Sequence, residues 1–79
     1  MGVVDYHHKK GWGKPLILPF ERIAIDPFNS SLHYAVECFE GMKVHKNSEG
    51  EIRMFRSESY MKRFKESSKR IALPDFDGN

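Results

Sequence analysis

One stretch gathers most of the residues that could do chemistry. Residues 32–45, LHYAVECFEGMKVH, set the phenol of Tyr34, the thiol of Cys38, the ring of Phe39 and two acids around Gly41. Two readings compete for it. Tyr34 and Phe39 could be ordinary packing on a short helix, or two walls of a pocket for an apolar ligand. Other constellations fare less well. His7 and His8 are adjacent, His33 and Cys38 are five apart, and no pair of ligands repeats at the spacing a zinc site uses, so a metal is not expected. No glycine-rich phosphate loop follows a strand, and no Ser/His/Asp arrangement is present. The basic run MKRFKESSKR is diluted by Glu66 and reads as a solvated helix face, with nucleic acid not expected as a partner.

These residues need elements to position them. Val3, Val4 and Tyr6 read as an edge strand. GWGKP then interrupts regular structure, because Gly11 and Gly13 free the backbone and Pro15 disfavours helix before it. Ile23 and Ile25 alternate with polar neighbours up to Pro27 and predict a second short strand. Leu32, Ala35, Val36 and Phe39 lie at i, i+3, i+4 and i+7. They predict a helix capped by Asn29, Ser30 or Ser31 and ended by Gly41. Residues 42–45 and 52–55 read as strands of a hairpin around KNSEGE. Ser57 reads as the N-cap of a longer helix, with Glu58 in its first turn, Tyr60, Met61, Phe64, Ser68, Ile71 and Ala72 on one face, and Pro74 beyond its end. The order predicts an α+β fold without repeats.

Size and composition set the limits. A chain of 79 residues with 39% apolar residues is at most one small domain, whose core is expected to be thin, worth ~3–5 kcal/mol. The net charge of +2 gives no reason to expect a nucleic-acid or membrane surface as partner. The single cysteine rules out an internal disulfide, and no apolar run approaches the ~18–20 residues that cross a bilayer. The final LPDFDGN has no closing element after it, as in a piece of a longer chain.

Taken in order, GWGKP, LHYAVECFEGMK and IRMFRSESYMKRF resemble the N-terminal part of the branched-chain amino-acid aminotransferases, fold-type IV enzymes that use pyridoxal 5'-phosphate. The resemblance covers essentially the whole chain. It implies part of the N-terminal small domain over residues 1–79, without the domain that carries the catalytic lysine. It implies that Arg63, in YMKRF, binds the cofactor phosphate, for which a planar guanidinium fork is well suited. It implies that Tyr34 and Phe39 line the pocket for the aliphatic substrate side chain. The Schiff-base lysine and the acid that pairs with the pyridine nitrogen are expected to lie outside this segment, so the chain alone is expected to be inactive. The resemblance further implies amino transfer between leucine, isoleucine or valine and 2-oxoglutarate, a homodimer when full length, and a cytoplasmic or mitochondrial location. His45 stands where many relatives carry an aromatic residue. A free-standing α+β binding module that has lost catalysis is the alternative.

Overall fold

The computed structural model describes residues 1–78 and shows a mixed α+β architecture. Its elements are β1 (Gly2–Val3), β2 (Tyr6–His7), β3 (Gly11–Trp12), β4 (Leu16–Ile17), α1 (Ser30–Tyr34), β5 (Val44–Lys46), β6 (Ile52–Met54) and α2 (Ser57–Arg70). The strands pair antiparallel in three two-stranded ladders, β1 with β4, β2 with β3, and β5 with β6.

The first eighteen residues form one interrupted hairpin. Val3 faces Leu16 in the outer ladder and Tyr6 faces Trp12 in the inner one. Between them the Gly13 amide donates to the Asp5 carbonyl at 2.8 Å. The expectation that GWGKP interrupts regular structure holds for Gly13, Lys14 and Pro15, which form no element between the two ladders, and is corrected for Gly11 and Trp12, which form β3. Gly11 takes φ +77°, a conformation that lets the chain reverse after His7 and brings Trp12 back across from Tyr6. The rings of Tyr6 and Trp12 meet edge to face, 5.1 Å apart.

The predicted strand around Ile23 and Ile25 does not form. Both side chains are exposed, and among the described residues no neighbouring strand pairs with them. The predicted helix through Phe39 is also shorter. Asn29 caps α1 by accepting from the Ser31 amide at 2.8 Å, as expected of a capping asparagine. The helix then ends at Ala35, which turns left-handed at φ 52°, and Gly41 plays no part in ending it. A helix of five residues lies below the length at which propagation outweighs nucleation, and no core among the described residues holds its far end down. Leu32, Ala35, Val36 and Phe39 consequently share no face.

The second hairpin follows the sequence closely. Asn47 organises its turn: Oδ1 accepts from the amides of Glu49 and Glu51, and Nδ2 donates to the Glu51 carboxylate. Gly50 supplies the positive φ, +84°. Helix α2 begins one residue earlier in the capping frame than predicted. Arg56, left-handed at φ 53°, is the N-cap and makes no side-chain capping bond, while Ser57 is the first helical residue. Its C-terminus closes with the Leu73 amide donating to the Ser68 carbonyl at 3.0 Å and the Ala72 amide to the Lys69 carbonyl at 3.1 Å. That pair of bonds defines a Schellman motif, with Ala72 (φ 55°) where glycine is usual. Pro74 then prevents continuation.

The expected thin core is not there. No apolar side chain among the described residues is fully buried, and the one buried residue is Ser68. An aromatic clasp stands in its place. Phe76 reaches back to Phe64 of α2, 5.3 Å between rings, and to Trp12, 6.3 Å. The Trp12 indole N–H donates to the Asp75 carbonyl at 2.6 Å. Trp12 thus anchors the N-terminal hairpin to the chain beyond α2.

Dimensions fit this loose packing. The radius of gyration is 15.4 Å, against about 12 Å for a compact domain of this length. The accessible surface is 7755 Å², roughly 2,800 Å² above the ~4,900 Å² of a compact monomer of 9.2 kDa. No helix among the described residues is long and apolar enough to cross a membrane.

Candidate functional site

Arg63 is the seventh residue of α2, which holds it on a rigid element beside the clasp residue Phe64. Its guanidinium grips Glu40 from the loop after α1. Nε donates to Glu40 Oε2 at 2.5 Å, and Nη2 donates to Oε1. The Glu40 carboxylate also accepts from the Gly41 amide at 3.0 Å. The Arg63 hydrogen bonds, aided by its charge and by the Gly41 amide and opposed by desolvation, hold the Glu40 carboxyl below its usual range. The same hydrogen bonds raise the Arg63 pKa, and the guanidinium stays charged. It also lies over the Tyr60 ring at 5.4 Å, one turn earlier on the helix.

Exposure within this pair is unequal. The Glu40 side chain is 8% exposed and that of Arg63 61%. A guanidinium carries five N–H donors, and this pairing uses Nε–H and one N–H of Nη2. The Nη1 edge is left over, and it is this edge that could meet the oxygens of a phosphate.

Two side chains pin the loop to α2. Cys38 Sγ contacts Ser68 Oγ at 3.3 Å, and two residues later Glu40 binds Arg63. The intervening Phe39 is 93% exposed. Tyr34, the last residue of α1, is also exposed, and its ring lies near that of His33.

The structure thus brings Arg63 and Glu40 together and leaves Phe39 projecting from the residue before Glu40. It does not line a common hollow with Arg63, Tyr34 and Phe39. A cleft of about 680 Å³ lies between the N-terminal hairpin and α2, lined by Trp12, Cys38, Phe64, Ser68 and Phe76 among others. A smaller one of about 460 Å³ lies at the C-terminal end of α2. None of the three side chains lines either. Glu40 is not among the residues that the sequence singles out. Its partner is 23 residues away, so no local periodicity could have exposed the pairing.

No family model matches the chain. Curated relatives do. The chain is 50% identical over 74 residues to a branched-chain-amino-acid aminotransferase of Dictyostelium discoideum, covering 94% of this chain and 20% of that protein. It is 48% identical over 77 residues to the cytosolic enzyme of Rattus norvegicus, covering 98% and 19%. It is 42% identical over 77 residues to the mitochondrial enzyme of Mus musculus, covering 98% and 20%. The class these relatives define is that of the aminotransferases. More narrowly, the chain is homologous to a segment of the branched-chain-amino-acid aminotransferases and spans about a fifth of their length.

Proposed function

We propose that the chain forms part of the small domain of a branched-chain aminotransferase, in which Arg63 binds the phosphate of pyridoxal 5'-phosphate and Tyr34 and Phe39 contribute to the substrate pocket. The observation that carries this reading is the Arg63 fork: one edge fixed on Glu40, the other left over, on an exposed side chain. That donor set suits a phosphate. When bound, the cofactor supplies a conjugated system that accepts the electrons released as the amino group is transferred. The residues of this chain hold its phosphate and border the substrate. Phe39 and Tyr34 offer exposed rings suited to an aliphatic side chain, while the lysine and the acid that complete the chemistry belong to the remainder of the enzyme. The full-length reaction on this reading moves the amino group of leucine, isoleucine or valine to 2-oxoglutarate, in a homodimer, in the cytosol or the mitochondrion.

The excess surface favours a segment over a free-standing module. Large apolar side chains such as Phe20, Phe28 and Phe39 are at least 90% exposed. An excess of roughly 2,800 Å² is within the range of an obligate interface. The rest of the enzyme would cover it.

The test uses the Dictyostelium discoideum relative with its matching fifth replaced by this chain. Arg63→Ala is expected to weaken cofactor retention in equilibrium dialysis by about 10–100-fold, the loss of one or two charge-assisted hydrogen bonds. Unchanged retention would overturn the phosphate role. Phe39→Ala is expected to lower kcat/KM for leucine more than for alanine, by a factor of about 5–100. Equal losses would make Phe39 a packing residue.

A further inference from the structure

We infer that Glu40 is a positioning residue: it holds the Arg63 guanidinium with its Nη1 edge presented to a phosphate. The inference rests on the phosphate-anchor reading of Arg63 and adds a second residue to it. Three observations support it. The contact is two-pronged, through Nε and Nη2, so it fixes the plane of the guanidinium as well as its distance. Glu40 is itself held, by the Gly41 amide and by the Cys38–Ser68 contact two residues earlier. It is also the covered member of the pair, at 8% exposure against 61% for Arg63, so the acid is the fixed post and the arginine the arm.

Without that post, a long flexible arm on an exposed helix face would sample many rotamers and have to be ordered each time a phosphate bound. A carboxylate beside an anion site also repels the anion. Here the Arg63 guanidinium stands between the Glu40 carboxylate and the Nη1 edge, so an anion meets the positive arm first and the carboxylate only at a greater distance, where Coulomb repulsion is weaker. Orientation therefore outweighs repulsion, and removing Glu40 weakens phosphate binding. The acidity of Glu40 fits this role, because the carboxylate remains ionised and able to accept both bonds.

The experiment compares affinities for pyridoxal 5'-phosphate and for pyridoxal, which lacks the phosphate, in the same full-length enzyme carrying this segment. Glu40→Ala and Glu40→Gln are measured, the latter keeping the side chain's size while replacing one acceptor by a donor. Both are expected to lose about 3–30-fold for the phosphorylated ligand and less than twofold for pyridoxal, with Glu40→Asp losing less than Glu40→Ala. Equal losses for the two ligands would reduce Glu40 to a structural contact. Tighter phosphate binding would show that the carboxylate competes with the ligand. Either result overturns the inference. Arg63→Ala separates the two layers: if it leaves the preference for the phosphorylated ligand intact, the anchor reading fails. If it abolishes that preference while the Glu40 variants keep it, the positioning role alone fails.

Discussion

Phe76→Ala removes the piece that closes the aromatic clasp, and the structure sets the size of the effect. The ring meets Phe64 at 5.3 Å and Trp12 at 6.3 Å, and Lys65 Nζ lies 5.9 Å from its centre. Aromatic pairs contribute ~0.5–1.5 kcal/mol each beyond the area they bury, and an exposed cation–π contact ~0.5–1 kcal/mol. The half-buried ring adds ~1 kcal/mol of transfer energy. Taking low values throughout gives a loss of about 2–3 kcal/mol. For a domain of this size each kcal/mol moves the melting temperature by ~4–8 °C, so a fall of about 10–20 °C is expected. The assay is thermal unfolding followed by circular dichroism at 222 nm, where the fourteen residues of α2 dominate the signal. A double-mutant cycle with Trp12→Ala should show coupling of ~0.5–1.5 kcal/mol between the two rings. Trp12→Phe should lose the indole hydrogen bond to Asp75, ~1 kcal/mol, and part of the ring contact while keeping an aromatic side chain. A Phe76→Ala melt within 2 °C of the parent, or strict additivity with Trp12→Ala, would refute the clasp as the element holding hairpin, helix and tail together.

Two further outcomes follow from named backbone and charge features. Ala72→Gly relieves a left-handed residue at the C′ position of the Schellman motif and should stabilise the protein by about 1 kcal/mol, read as a higher urea midpoint; a lower midpoint would mean the left-handed conformation carries no strain. Glu40 has a lowered pKa in the folded state, so its contribution is full above the unfolded carboxylate value and is lost as pH falls through the folded one. The melting temperature of the parent should therefore drop more steeply than that of Glu40→Gln on acidification below the ordinary glutamate range, and parallel curves would count against the ion pair.

Which parts of this structure could be read from the residue string follows from how local each signal is. The β5–β6 hairpin and α2 were legible because Asn47 and Gly50 act within their own turn, and an apolar period of 3.6 acts within its own helix. Ile23 and Ile25 carried a strand-like alternation, but a strand exists only with a partner, and alternation cannot supply one. The helical spacing from Leu32 to Phe39 failed for a related reason: periodicity describes which face a helix would bury, and the described residues form no core to bury it in. A glycine at position 11 signals a break when taken by itself, whereas its positive φ makes the turn that brings Trp12 to Tyr6. At the candidate site, Arg63, Tyr34 and Phe39 were singled out through motif resemblance, whereas the Glu40 contact needed the fold. It joins a loop to a helix 23 residues further on, beside the Cys38–Ser68 contact.

The central claim concerns the guanidinium of Arg63, and the ratio of affinities for pyridoxal 5'-phosphate and pyridoxal tests it most directly. In the full-length enzyme carrying this segment, Arg63→Ala should lower that ratio by about 10–100-fold, almost wholly through the phosphorylated ligand. A ratio equal to that of the parent would contradict the account.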